Sequence, residues 1–279
     1  MTIIFYNNFN NGDVHFSRGI IETIVKLFPN CKYYYLHKNK KGLLKDIDYL
    51  VESELDENCD MEQSVSFLND KIYINTWYGQ NHRRFLGLGG TTLLTVKLIL
   101  ENILSILNIQ TSIDKENLLP NIYYENINKP KIDDGVNVLI CNNNAISGQA
   151  NNVNLNETID FLSENNPNIY FYVTEKIDLV KPNIIYTSDI TESFPDLVDI
   201  SYISTKCKLI VGRSSGPYSF SLTKTNLLDE NKSFFALCHD YNTGIWCQDN
   251  IKCKYYHEPS NDINKITQSL QNIISNYVV

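Results

Sequence analysis

The stretch NNFNNGDVHFSRGIIETI, which begins at Asn7, brings a carboxylate, an imidazole and a guanidinium together directly after the strand-like run TIIFY. These groups belong to Asp13, His15 and Arg18. A carboxylate in this place could remove a proton from a substrate hydroxyl, with His15 or Arg18 orienting the substrate or the base. The alternative is a helix N-cap, in which the Asp13 carboxylate accepts hydrogen bonds from the free N–H groups of the following helix while His15 and Arg18 face solvent. The residue types leave both interpretations open.

A second polar loop lies in LIVGRSSGPYSFS, where an apolar strand runs through Gly212 into Arg213, Ser214, Ser215 and Gly216. Backbone N–H groups, two hydroxyls and a helix start could bind an anion there, with the guanidinium close by. The loop lacks the Lys-Ser/Thr pair of a P-loop and the GxGxxG pattern of a dinucleotide site. An ordinary capped turn between strand and helix is the alternative.

Two further loops are polar but less specific. CNNNAISGQANN offers Ser147 and Gln149 after an apolar strand, although the segment taken alone is better explained as a solvated loop. TWYGQNHRRFLGLGG begins near Trp77 and gathers basic residues and glycines. It could line an acceptor or lie between domains, and it could equally be a surface loop.

The elements that must position these loops alternate between strand and helix, and the alternation starts again after the polar segment ENINKPKIDDG. Continuous apolar strands joined by helices indicate parallel sheets covered on both faces. The sequence therefore predicts an α/β protein with two Rossmann-like domains facing a cleft, at residues 1–130 and 131–279. Within the first domain, KGLLKDIDYLVESEL is predicted to be helical.

The net charge, the length of the apolar runs and the cysteine content exclude several classes of protein. A net charge of -8 over 279 residues argues against a broad nucleic-acid surface. No apolar run is long enough to span a membrane, and the first residues do not resemble a signal peptide. Seven cysteines without a CxxC pair indicate a reducing, cytoplasmic protein with no disulfide framework and no zinc site.

At these two loops the sequence resembles a known family. NGDVHFSRGIIETI is similar to the amino-terminal segment of the ADP-heptose:lipopolysaccharide heptosyltransferases, which have the GT-B architecture. SFPDLVDISYISTKCKLIVGRSSGPYSFSL is similar to the family's segment that contacts the donor, and the residues Ser214 to Pro217 match its loop in part. The resemblance implies that Asp13 is the catalytic base and that the second domain binds a nucleotide sugar.

Together these readings predict an inverting glycosyltransferase that needs no cofactor and no metal ion. Asp13 would activate a glycan or other hydroxyl acceptor on the first domain, assisted by His15 or Arg18. The donor would bind to Ser147, Gln149 and the segment Arg213 to Gly216, with Arg213 and the helix start balancing the diphosphate charge. Three alternatives stay open: a nucleotide-sugar epimerase, a non-catalytic binding or scaffold protein of the same fold, and an NAD-dependent enzyme, which the missing GxGxxG disfavours.

Overall fold

A computed structural model of the protein describes residues 1–77, 93–146, 148, 150–192, 194–237 and 251–277. The chain divides into two compact units between Ile127 and Asn128. Each unit is built around its own sheet, and helices follow the strands in the order of the chain. The fold is therefore α/β with two Rossmann-like domains, as the alternating sequence pattern predicts.

The first unit contains a five-stranded sheet with the order β3-β2-β1-β5-β4. Its strands are β1 (Thr2–Asn7), β2 (Lys32–His37), β3 (Leu50–Ser53), β4 (Val65–Leu68) and β5 (Lys71–Asn75). The helices described in this unit are α1 (Asn11–Phe16), α2 (Arg18–Leu27) and α3 (Leu93–Ile106), with 3-10 turns at Lys115–Leu118 and Tyr124–Asn126.

Strand β4 departs from the prediction of wholly parallel sheets, because it pairs with β5 in the antiparallel direction. Only Asn69 and Asp70 separate the two strands, and Asn69 has a φ of 53°. A two-residue connection of this kind closes an antiparallel hairpin, and asparagine tolerates the positive φ better than most residues. The other neighbouring strands of this sheet pair in parallel.

The second unit contains a six-stranded sheet, parallel throughout, with the order β11-β10-β9-β6-β7-β8. Its strands are β6 (Val136–Cys141), β7 (Ile169–Val173), β8 (Ile184–Tyr186), β9 (Leu209–Gly212), β10 (Ser233–Leu237) and β11 (Lys254–Glu258). The helices described here are α4 (Asn156–Asn165), α5 (Thr187–Ile190), α6 (Leu197–Thr205), α7 (Gly216–Ser221), α8 (Lys224–Leu227) and α9 (Ile263–Ile274), with a 3-10 turn at Ser275–Tyr277. Numbered within the unit, this is the doubly wound order 6-5-4-1-2-3.

The central strands are apolar because helices cover both faces of each sheet. Strand β9 shows this clearly, since Leu209, Ile210 and Val211 are all fully buried. Helix α9 has the opposite, amphipathic pattern and buries Ile266 and Leu270 against the second sheet. The cores thus hold the carboxyl ends of the strands rigidly, and the loops that follow these ends start from fixed positions.

The predicted helix in KGLLKDIDYLVESEL is wrong, since this segment contains turns and the strand β3. The carboxylate of Glu52 accepts hydrogen bonds from the backbone N–H groups of Gly42 at 2.8 Å, Leu43 at 3.3 Å and Leu44 at 2.6 Å. These contacts satisfy N–H groups that a helix would use, so a tertiary interaction overrides the local helical spacing.

The predictions about membrane-spanning segments and about cysteines can be compared with the described residues. None of their helices is long and apolar enough to cross a membrane. Their five cysteines are free thiols, and Cys141 and Cys207 are buried as small apolar side chains.

Candidate functional site

Each sheet has a topological switch point, where the chain leaves the first strand toward one side and later returns on the other side. In the first sheet this point lies between β1 and β5, and in the second sheet between β6 and β9. Open α/β sheets bind their ligands outside the carboxyl ends of the strands at such points. The loop with Asp13 follows β1, and the loop with Arg213 follows β9, so both predicted loops lie at switch points.

In the Asp13 segment, helix α1 begins at Asn11 and therefore includes Gly12. Asn10 is the N-cap residue, and Asp13 lies in the first helical turn, where its backbone N–H donates to the Asn10 carbonyl at 3.0 Å. The backbone N–H groups of Asn10 and of Asp13 itself lower the pKa of the Asp13 carboxyl. Asp13 therefore combines a contact typical of helix starts with a place at the switch point.

Burial raises the pKa of Asp13 from 3.8 to about 6. The backbone hydrogen bonds, the positive charge of Lys38 and a hydrogen bond from the Trp77 side chain each lower it, and burial outweighs them. A carboxylate at a helix start with good hydrogen bonds ordinarily has a lowered pKa. The direction found here is instead the one that suits a general base working near neutral pH.

Aromatic and basic side chains cluster at the strand ends on the same edge of the sheet as the Asp13 segment, and the sequence interpretation missed most of them. The rings of Phe9 and Trp77 are stacked, with their centroids 3.8 Å apart and an interplanar angle of 11°. The Nζ atom of Lys38 lies over the Phe9 ring, 5.6 Å from its centroid. Phe9, Lys38 and Trp77 follow β1, β2 and β5, so only the parallel register of three strands brings them together.

The structure places the other two predicted catalytic residues in the interior of the first unit. His15 is fully buried and contacts the ring of Phe16. Arg18 is also fully buried and forms a bidentate ion pair with Asp46, with both N–O distances at 2.8 Å. It donates further to the carbonyls of Leu43 and Asn121. Arg18 therefore holds loops together, and we correct its predicted role in orienting a substrate.

Arg213 likewise departs from its predicted role, because its N–H groups are engaged with backbone carbonyls. The residue is 1% exposed. Its Nε donates to Asn143 at 3.1 Å, and its Nη2 donates to Asn142 and Val153, both at 3.0 Å. Its Nη1 donates to Asn151 at 3.4 Å. Arg213 thus ties the turn after β9 to both ends of the loop after β6, across the switch point of the second sheet.

The turn that follows Arg213 keeps a polar group available. Ser215 is 6% exposed, and its hydroxyl has no hydrogen-bond partner among the described residues. Gly212 allows the turn to form, since a Cβ there would lie 2.6 Å from the Tyr218 ring and 2.9 Å from the Cβ of Cys141. Helix α7 starts at Gly216 but has only six residues, so its dipole offers less to an anion than the sequence suggested.

The loop after β6 is held by asparagines, which the sequence interpretation had treated as a solvated run. Asn142 uses its side chain to bind the backbone of Glu175 in both directions, at 2.9 Å and 2.8 Å. Asn152 binds both backbone groups of Ala145, at 2.7 Å and 3.3 Å. Ser147 and Gln149, the predicted donor ligands of this loop, lie outside the described residues. In the described part of the chain, no group of three His, Cys, Asp or Glu side chains is placed to hold a metal ion.

No protein-family model and no curated protein sequence matches the chain. Among solved structures, the E. coli heptosyltransferase WaaC with ADP-2-deoxy-2-fluoro heptose has a TM-score of 0.57 at 9% identity, over 99% of each chain. WaaC with ADP has a TM-score of 0.56 at 10% identity, over 99% of this chain and 100% of that one. A glycosyl transferase family 9 protein from Veillonella parvula has a TM-score of 0.53 at 12% identity, over 97% and 89%. The resemblance to heptosyltransferases is thereby confirmed at the level of the fold.

Proposed function

We propose that this protein is an inverting glycosyltransferase that moves a sugar from a nucleotide-sugar donor to a hydroxyl acceptor and needs no metal ion. The observation that carries the proposal is Asp13, a partly buried carboxylate with a pKa of about 6 at the switch point of the first sheet. Perturbed carboxylates at ligand-binding edges are typical of active sites. The fold shared with glycosyltransferases supplies the reaction class in which such a base is useful.

In the proposed reaction Asp13 accepts the proton of an acceptor hydroxyl. The hydroxyl oxygen attacks the anomeric carbon of the donor sugar while the bond from that carbon to the phosphate oxygen breaks. The nucleoside diphosphate leaves with the electron pair, and attack from the opposite face inverts the anomeric centre. With a pKa of about 6, Asp13 is mostly ionised at neutral pH and still basic enough to share the proton in the transition state.

The donor is proposed to bind at the switch point of the second sheet. Ser215 is the best-supported ligand, since a buried hydroxyl with no partner among the described residues gains a hydrogen bond when a phosphate or ribose oxygen arrives. Ser214 and Gly216 can add backbone N–H groups from the same turn. Ser147 and Gln149 remain proposed ligands from the loop after β6. Arg213 is reassigned to holding these two segments in register.

The first test measures binding by calorimetry with ADP, UDP, GDP and NAD as probes. Binding of one nucleoside diphosphate supports the proposal, whereas binding of NAD alone would favour a dehydrogenase. Ser215→Ala should lower the affinity for the preferred nucleoside diphosphate by about 2- to 10-fold, which is the contribution of one neutral hydrogen bond. Ser221→Ala is the matched control, because that hydroxyl donates to the Pro217 carbonyl at 3.0 Å inside helix α7. Equal affinity in wild type and Ser215→Ala would exclude Ser215 as a ligand.

The second test follows turnover with the nucleotide sugar of the preferred base, in the presence of EDTA. Transfer with an inverted anomeric centre, observed by NMR, supports the proposal. Asp13→Asn should lower turnover by about 10²- to 10⁴-fold while diphosphate affinity stays unchanged. Epimerised donor sugar without transfer would favour the epimerase, and tight binding without any conversion would favour a non-catalytic protein. Activity that EDTA abolishes would contradict metal independence.

A further inference from the structure

Three buried hydroxyl groups form a chain between helix α1 and the end of strand β5. The Tyr35 hydroxyl is in the middle, 2.9 Å from the Ser17 hydroxyl and 2.8 Å from the Thr76 hydroxyl. The Ser17 hydroxyl also lies 2.7 Å from the carbonyl of Val14, which belongs to α1. At the other end, the Thr76 hydroxyl lies 3.1 Å from the Tyr6 carbonyl. The side chains of all three hydroxyl residues are fully buried.

The available hydrogens give this chain a direction. The three hydroxyls supply three hydrogens for four contacts, so one contact has none. The Tyr6 carbonyl already accepts the backbone N–H of Thr76 at 2.9 Å, and its contact with the Thr76 hydroxyl is the longest of the four. The three shorter contacts are all satisfied when Thr76 donates to Tyr35, Tyr35 donates to Ser17, and Ser17 donates to the carbonyl in α1. The chain then runs unbroken from the end of β5 into α1.

The strand ends to which the chain is anchored are themselves fixed. Thr76 lies inside a turn that the side-chain oxygen of Asn75 closes by accepting the backbone N–H of Trp77 at 3.0 Å. At the end of the neighbouring strand β1, the side-chain oxygen of Asn7 accepts the backbone N–H of Phe9 at 2.9 Å. Both asparagines are fully buried, so the core holds these turns in place. The hydroxyl chain therefore starts from a rigid point.

Helix α1 depends on contacts of this kind, because its six residues are too few for a helix to be stable alone. It buries Val14 and Phe16, and apolar burial holds the helix on the sheet without favouring one orientation. Hydrogen bonds are directional, and a satisfied buried network makes the surrounding core rigid. Asp13 lies on this helix, directly before Val14. The position of the proposed base therefore follows the position of α1.

We propose that Tyr35 is a positioning residue, whose hydroxyl fixes helix α1 against the end of β5 and thereby sets the place of Asp13. The inference rests on the proposed function, which gives Asp13 its role as the base. A base acts only within hydrogen-bond reach of the proton that it removes. A small displacement of α1 is therefore enough to slow the reaction.

The decisive variant is Tyr35→Phe, which keeps the ring and removes the middle hydroxyl. We expect amide hydrogen exchange in residues 11–16 to become about 10-fold faster, because α1 loses its link to β5. Turnover should fall by about 10- to 100-fold. Diphosphate affinity should not change, because the donor is proposed to bind to the second unit.

The pH profile gives a readout that a purely structural role would not move. Burial raises the pKa of Asp13, so a displaced α1 that opens the carboxyl to water should lower this pKa from about 6. The charge of Lys38, which also acts on Asp13, is the same in the variant. The acid limb of the kcat/KM profile should therefore move to lower pH. NMR titration of the Asp13 carboxyl carbon, identified by its absence from Asp13→Asn, should show the same fall.

The matched control is Tyr33→Phe, which removes another tyrosine hydroxyl from β2. Tyr33 is buried, and its hydroxyl contacts the carbonyl of Phe28 at the end of helix α2 rather than α1. This variant should keep the hydrogen exchange of α1, the turnover and the acid limb of the wild type. Equal changes in Tyr33→Phe and Tyr35→Phe would contradict the specific link to α1.

A second variant, Ser17→Ala, breaks the chain where it meets α1 and supplies the test if Tyr35→Phe does not fold. The protein with both substitutions should be about as slow as the slower single variant, because both break the same link, whereas losses that multiply would contradict it. Full turnover in Asp13→Asn would overturn the proposed function and this inference with it. Loss of turnover in Asp13→Asn, together with wild-type turnover and acid limb in Tyr35→Phe or its substitute, would overturn this inference alone.

Discussion

Asp13→Asn should make the protein more stable at neutral pH while it lowers the proposed transferase turnover. The folded state holds the carboxyl where burial raises its pKa from 3.8 to about 6, so folding disfavours the ionised form. At 1.36 kcal/mol for each pH unit, this difference corresponds to about 3 kcal/mol at pH 7. Asparagine has nearly the same shape as aspartate and carries no charge, and its amide oxygen can still accept hydrogen bonds.

The sign of the effect depends on pH in a defined way. Because the folded pKa is raised, the folded state binds the proton more tightly than the unfolded chain between pH 3.8 and about 6. The wild type therefore loses stability as the pH rises through this window, and Asp13→Asn does not. The difference in the free energy of unfolding between the two proteins should be about 0.6 kcal/mol at pH 4 and reach about 3 kcal/mol at pH 7.

Urea unfolding of both proteins at pH 4, 5, 6 and 7 measures this difference. Asp262→Asn is the matched control, because Asp262 caps helix α9 by accepting the N–H groups of Asn264 at 3.0 Å and Lys265 at 3.5 Å from an exposed position. Asparagine caps about as well as aspartate, so this variant should match the wild type throughout. An Asp13→Asn protein that is less stable than the wild type at pH 7, or equally stable at every pH, would refute the buried-charge argument.

Two buried arginines give further predictions, and each contradicts a role inferred from sequence. Arg213→Ala should lower the free energy of unfolding by roughly 3 kcal/mol and speed hydrogen exchange in residues 142–153, because several buried carbonyls lose their donor. Unchanged stability with lost diphosphate affinity would instead make Arg213 a phosphate ligand. Asp46→Asn should cost roughly 3–5 kcal/mol in urea unfolding, because it leaves Arg18 charged and buried, while calorimetry should find diphosphate affinity unchanged. Wild-type stability would show that the ion pair contributes little.

The strands of both sheet centres could be predicted from sequence because burial on two faces requires continuous apolar runs, as in β6 and β9. The edge strands could not. Strand β4 exposes Phe67 and Leu68, so its pattern does not differ from that of a loop. Strand β3 lies in a segment with helical spacing, and the contacts that prevent a helix come from Glu52, which a local pattern cannot anticipate.

The candidate site could be predicted only as far as each group depends on its own loop. Asp13 follows a strand and precedes a helix, and that local context is visible in the sequence. Lys38 and Phe9 reach the same place only through the register of β1 with β2, which no local pattern contains. Arg213 has the side chain expected of an anion ligand. Its actual partners are carbonyls at least 60 residues away along the chain, so the sequence could not show that its donors are already engaged.

The two switch points share one design, which favours a functional rather than a purely structural reading of both. In each, buried side chains fix the backbone at the strand ends: Asn7 and Asn75 in the first unit, and Arg213 in the second. Each switch point nevertheless keeps one polar group in a state that burial disfavours. In the first unit this group is the partly buried charge of Asp13, and in the second it is the buried Ser215 hydroxyl, which has no partner among the described residues. A bound acceptor would give Asp13 a proton during the proposed reaction, which removes the buried charge. A bound donor would give the Ser215 hydroxyl a hydrogen bond.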